Sequence, residues 1–291
     1  MEWDGYQLGT GEVKFEADGK RALFKDLWLN VGNGKIKSDK LSVDFKERSP
    51  FEGELTLVNL ELNSLLKRIK VNHAPLYVDI NGQLKVHGFA SNPLTVEGEL
   101  SSELSKLVAV SHVNEPLSPA NTVISIDHAK LSAALNLAGD QGTIKSQLEA
   151  LDGLLVSYVN WGPKNPFHID VDGKNISLSK LGKIQELTFG GVTDLKARVE
   201  IDNGEPVISG NFDLKNGEIS QVVLGSIKGE VNYQNDLLAF ESLELPSLEA
   251  IKSNGFVDFK PKDTRYKFQI ATKRASVDQV FQFFRKSKLG F

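Results

Sequence analysis

The chain has 291 residues, 40% of them apolar and 25% charged, with 34 basic against 38 acidic side chains and a formal charge of −4. That near balance leaves no clustered positive field of the kind that displaces counterions from nucleic acid, so no nucleic-acid partner is expected. The absence of cysteine excludes a disulfide scaffold, a thiolate zinc site, an iron–sulfur cluster and a cysteine nucleophile.

The opening residues Met1-Glu2-Trp3-Asp4-Gly5 lack the basic and apolar regions of a secretory signal. No stretch approaches the roughly 20 continuous apolar residues of a membrane-spanning helix. A cytosolic protein or an internal segment of a longer one is expected. From there the chain alternates with period two. Leu41, Val43 and Phe45 share one side, then Leu55 and Leu57, then Leu76, Val78 and Ile80, then Leu84 and Val86, then Leu94 and Val96. The beat returns at Leu135 and Leu137, Ile169 and Val171, Val199 and Ile201, Phe212 and Leu214, and Val257 and Phe259. Such alternation over 4–8 residues predicts strands with one apolar and one wet face. The dipeptides Asn81-Gly82, Asp172-Gly173, Asn203-Gly204 and Asn216-Gly217 predict hairpin turns between them. The chain is thus expected to be mainly β and antiparallel, and the lack of alternating long helices argues against a dinucleotide-binding or α/β-barrel enzyme.

Residues 62–68, 178–184 and 277–284 instead show i, i+3, i+4 spacing and predict short helices, with Asn63, Ser179 and Asp278 as N-caps. Ile36-Lys37-Ser38 recurs as Ile144-Lys145-Ser146 and Ile251-Lys252-Ser253. Together these features predict one continuous repetitive β domain over 1–291, in about two and a half degenerate repeats of roughly 107 residues: 1–110, 111–220 and 221–291.

Motifs that would carry chemistry are missing. His73, His87, His112, His128 and His168 are scattered without metal spacing. Asp170-Val171-Asp172-Gly173 departs from a calcium loop, with Lys174 at the fifth position and Leu181 where the bidentate glutamate belongs. There is no nucleophile elbow, Walker loop or dinucleotide fingerprint. Neither an enzyme nor a cofactor or metal is expected. Lys67-Arg68-Lys70 and Arg285-Lys286-Lys288 could touch anionic headgroups, but their position after short helices favours complementing the helix dipole.

The run 51–66, an apolar β segment ending in Leu62-Asn63-Ser64-Leu65-Leu66, resembles the strand-then-short-helix pattern of the AsmA/TamB superfamily. The glycine-punctuated strands at 81–88 and 194–214 are similar to its texture. The resemblance implies an elongated, strongly curved antiparallel sheet folded into a taco-like groove with three short helices. It also implies periplasmic location within an inner-membrane-anchored parent whose anchor is missing here, and phospholipid transport between membranes. An outer-membrane barrel protein becomes a partner through regions not present here. An apolar groove accepts acyl chains, each buried methylene contributing about 0.8 kcal/mol, so a continuous groove gives lipid a path without chemistry. The lining candidates are Leu55, Leu57, Leu76, Val78, Ile80, Leu84, Val86, Leu94, Val96, Leu135, Leu137, Ile169, Val171, Val199, Ile201, Phe212 and Leu214. One rival reading is a periplasmic scaffold or chaperone assisting outer-membrane protein assembly by strand addition. Another is a closed β-sandwich binding module, which shares the same alternation.

Overall fold

The computed structural model describes residues 2–3, 6–7, 9–64, 76–91, 94–110, 122–163, 165–181, 183–184, 187–202, 205–219, 222–235, 237–245, 251–258 and 265–271. The alternating segments become strands almost throughout. In chain order these are β1 (Glu2–Trp3), β2 (Tyr6–Gln7), β3 (Thr10–Ala17), β4 (Arg21–Val31), β5 (Gly34–Asp44), β6 (Pro50–Glu61), β7 (Leu76–Phe89), β8 (Thr95–Val110), β9 (Thr122–Ala138) and β10 (Gln141–Ala150). They continue as β11 (Gly153–Gly162), β12 (Asn165–Ser177), β13 (Lys183–Ile184), β14 (Leu187–Asp202), β15 (Glu205–Ile219), β16 (Val222–Gln234), β17 (Leu237–Leu245), β18 (Ile251–Asp258) and β19 (Arg265–Ala271).

Two compact units divide the chain: Met1–Ala150 with Asn160–Lys164, and Leu151–Val159 with Asn165–Phe291. In the first, β3 to β10 form an antiparallel meander in which each strand pairs with the next. In the second, β12 pairs with β14, and β14 to β19 continue in sequence order, all antiparallel. Among the described residues neither meander closes, and each unit is one open sheet rather than two packed layers. The mainly-β antiparallel expectation holds.

The strands are interrupted by residues with left-handed backbone: Asp26 (φ 50°), Asn59 (φ 48°), Lys106 (φ 53°), Asn175 (φ 55°) and Asn216 (φ 52°). Asn59 is an inserted residue, since Leu57 faces Gly82 while Leu60 faces Ile80. The bulge turns the backbone over, so Leu57 and Leu60 stay on one face despite their odd spacing. They pack with Val31 into a buried cluster bordered by Leu29, Ile36, Ile80 and Leu100. The Asn59 N–H donates to Asn81 Oδ1 at 2.8 Å, and Gly34 lets the Asn59 carbonyl approach its Cα.

The second unit repeats this device. Asn175 is the bulged residue of β12, its N–H donates to Asp194 Oδ1 at 2.8 Å, and Gly153 lies under the Lys174 and Asn175 carbonyls. The next residue is buried in both cases, Leu60 at 2% and Ile176 at 4% exposure. A helical turn follows each bulge, at 62–64 and at Leu178–Lys180.

Several expectations are corrected. The second helix is one 3₁₀ turn with Ser177 rather than Ser179 at its N-cap position, and chain beyond it pairs as β13. Asn63 sits inside its helical turn, buried, rather than at the cap. The helix at 277–284 lies outside the described residues. Asn81-Gly82, Asp172-Gly173 and Asn216-Gly217 stand within β7, β12 and β15, because bulges and close cross-strand approaches use the residues that turns use. Asn203-Gly204 lies between β14 and β15, outside the described residues. Phe45 falls beyond β5 and is 55% exposed. The Ile-Lys-Ser tripeptides mark non-equivalent strands: Ile36 lies one strand before the bulged β6, Ile144 two strands before the bulged β12.

Two outcomes are expected. Gly34→Ala and Gly153→Ala drive a methyl into backbone carbonyls and lower stability in urea unfolding by about 1–3 kcal/mol, while Gly19→Ala, whose Cβ meets no atom, changes little. The Asn175 N–H bond, aided by Lys174 and Lys215, holds the Asp194 carboxyl below its usual value. A depressed folded pKa means the stabilisation is complete above the unfolded value and is lost as pH falls through the folded one. Melting between about pH 6 and 2 is therefore expected to fall more steeply for the wild type than for Asp194→Asn, whose amide mimics Asn81. Parallel pH profiles would contradict the bond.

Candidate functional site: the apolar face

Paired residues in an antiparallel sheet point to the same side, so the register assembles the face row by row. In the first unit one row runs Phe24, Leu41, Gly53, Val86, Gly98 and Leu135. The next runs Val43, Phe51, Gly88, Val96, Leu137 and Gly142. A third runs Ile36, Leu57, Gly82, Ser102, Leu131 and Leu148, with Leu55, Leu84, Leu100 and Ala133 beside it. In the second unit, Ile169, Val199, Ile208, Tyr233 and Leu238 make one row and Val171, Ala197, Gly210, Val231 and Phe240 another. A third contains Gly173, Leu195, Phe212, Gly229 and Leu243.

Several glycines in these rows are covered places rather than gaps. A Cβ on Gly53 would meet the Leu41 side chain, on Gly88 the Thr95 carbonyl and then the Phe51 ring, on Gly142 the Trp161 indole and on Gly173 Leu195. Gly229 lies under both Phe212 and Leu243. Large side chains fold down over neighbouring strands, and only glycine leaves room for them. The surface is still only half covered. Leu55, Ile80, Leu84, Val86, Val96, Leu135, Leu137, Ile169, Val171, Val199 and Phe212 are half-buried, whereas Leu57, Val78 and Leu214 are buried.

Within each unit the structure therefore brings the candidates predicted from sequence onto one face, with three departures. Leu94 precedes β8 and is 43% exposed. Leu76 and Ile201 hold strand positions in β7 and β14, but their side chains lie outside the described residues. The face also includes Phe24, Phe51, Leu100, Leu131, Leu148, Leu195, Ile208 and Phe240, which the sequence reading did not select. The signal for them is cross-strand: all but Leu131 and Leu148, which pair with each other, stand opposite a residue that alternation had already found or opposite a glycine.

The opposite face is charged. In the first unit Lys25 meets Glu16 at 2.6 Å, Arg21 meets Glu52 at 3.0 Å and His87 meets Glu97 at 3.1 Å. In the second, Arg198 grips both Asp170 oxygens at 2.7 and 3.0 Å, which holds that carboxyl below its usual range. Such exposed pairs contribute about 0–1 kcal/mol each, as befits a solvated surface. Asp170 and Asp172 thus belong to a strand, not an ion-binding loop. Among the described residues no cluster of His, Cys, Asp or Glu is arranged to hold a metal, and no helix is long and apolar enough to cross a membrane. The basic clusters at 67–70 and 285–288 lie outside the described residues.

No protein-family model, curated protein or solved structure matches the chain.

Leu60→Ala should cost about 2–5 kcal/mol in equilibrium unfolding, since Leu60 is nearly fully buried beside Val31. Val86→Ala removes a half-buried side chain and should cost roughly 1 kcal/mol or less. Equal losses would show that the face is covered in solution.

Proposed function

We propose that the apolar face lines a path for the acyl chains of phospholipids moving between the membranes of a bacterial envelope. The reading carries no enzymatic step and requires no cofactor. One observation supports it above others: in each unit the apolar rows run from strand to strand, half exposed, with no second layer over them among the described residues. A monomeric protein rarely leaves a large contiguous apolar surface without a use for it. The resemblance of residues 51–66, 81–88 and 194–214 to the AsmA/TamB superfamily supports the same reading, including a periplasmic setting within a membrane-anchored parent.

The physical account is short. Transferring an acyl chain from a bilayer to such a face exchanges one apolar surrounding for another. Positions along rows of similar side chains then differ little in energy, and the charged opposite face keeps the sheet wetted on its other side. Lipid moves by diffusion along the rows rather than by a reaction.

The test uses Val86→Asp and Val199→Asp, each on the apolar face of its own unit. In a covered core a lone carboxylate costs several kcal/mol and unfolds the protein. On an open face it reaches water, so melting should stay near the wild-type value while phospholipid co-purification, read by mass spectrometry of organic extracts, and lipid photocrosslinking both fall. Variants that remain folded and still carry lipid at the wild-type level would remove the proposal. Variants that cannot fold would place the face in a closed core.

A further inference from the structure

The charged face of the second unit holds a hollow of about 570 Å³, within the roughly 300–1,000 Å³ typical of ligand sites. Two register rows build its floor. One runs Asp170, Arg198, Ser209 and Asn232, the other Asp172, Lys196, Asn211 and Glu230. Glu241 joins them through a bulge: Phe240 faces Val231 and Ser242 faces Glu230, leaving Glu241 as the inserted residue, directed to the hollow. Tyr158 flanks the site on β11.

The contrast with the adjoining hollow of about 470 Å³ is informative. That hollow shares Lys196, Asn211 and Glu230 with the larger one, but its own charged groups are paired, Lys228 with Asp213 at 3.0 Å and Lys174 with Asp194 at 3.8 Å. In the larger hollow Arg198 forks onto Asp170 and Lys196 pairs with Asp172. Among the described residues, the side chains of Ser209, Asn211, Asn232, Glu230 and Glu241 form no hydrogen bond or ion pair. They are a set of donors and acceptors turned toward one space with their capacity unused.

From this we infer that the hollow binds a neutral, hydroxyl-rich ligand, a soluble oligosaccharide. Each sugar hydroxyl both donates and accepts, and the free set offers both functions: carboxylates that accept, with amides and a hydroxyl that do either. The charge excludes the main competitor. Asp170, Asp172, Glu230 and Glu241 outnumber Lys196 and Arg198, and Arg198 is already taken by Asp170, so a phosphate or sulfate finds repulsion. A divalent cation lacks its ligands, since no suitable cluster occurs among the described residues. Tyr158 supplies a ring for the apolar side of a pyranose. The site stands apart from whatever occupies the apolar face, because these side chains alternate with those that form it.

An array of immobilised neutral and acidic oligosaccharides, followed by titration calorimetry with the best soluble glycan, tests this. Binding of a neutral glycan is expected, weakened about tenfold by Asn211→Ala and by Asn232→Ala and left unchanged by Lys228→Ala in the adjoining hollow. Each altered side chain is wholly or partly solvent-accessible, and unchanged melting confirms folding of every variant. Failure to bind any neutral glycan, preference for acidic glycans, or binding indifferent to Asn211 and Asn232 would overturn the assignment.

Discussion

A strand that gains one residue turns every side chain beyond it to the other face, and this sheet contains several such insertions. Its apolar rows survive because the inserted residues adopt a left-handed backbone that reverses the reversal. Asn59 and Asn175 show how this is secured. Each takes a conformation that asparagine tolerates, and each finds its N–H bonded by a side chain of the neighbouring strand, Asn81 or Asp194. A glycine across the pairing, Gly34 or Gly153, leaves space for the protruding carbonyl. Without that arrangement Leu60 and Ile176 would face the charged side, and the cluster of Val31, Leu57 and Leu60 would lose a member.

The strands were legible because their period is a local property. Leu84 and Val86, or Ile169 and Val171, announce a face without knowledge of any partner. The bulges were not legible for a physical reason. Asn-Gly and Asp-Gly serve equally in a tight turn and in a strand where a neighbour's side chain crosses the backbone, and only the register distinguishes the two. Gly173 beneath Leu195 is such a case. The Ile-Lys-Ser tripeptide is a strand fragment that fits any alternating segment, and its first two copies stand at different distances from the bulged strands. Phe51 and Phe212 face inward over glycines, a relation set across strands that a scan along the chain does not reveal.

Because the described residues of each unit form a single sheet, both sides of a strand remain available. In β12, Val171 contributes to the apolar rows while Asp170 and Asp172 on either side of it enter the charged rows. A two-layered sandwich would have consumed one side in its core. Here the same backbone carries two surfaces of opposite character, separated by the thickness of a pleat, and a substitution on one side leaves the chemistry of the other largely intact.

The order of pairing has a further consequence. Within each unit every principal strand joins a neighbour close to it in the chain, so the loops closed on folding are short and their entropy cost is small. A sheet of this kind can be laid down strand by strand in the order of synthesis, each new hairpin using the previous strand as its template. Tension applied to the ends of a unit acts in the reverse sense, detaching edge strands one after another, because among the described residues of a unit no pairing joins the first strand to the last. Resistance to force is then set by one hairpin at a time rather than by the whole unit.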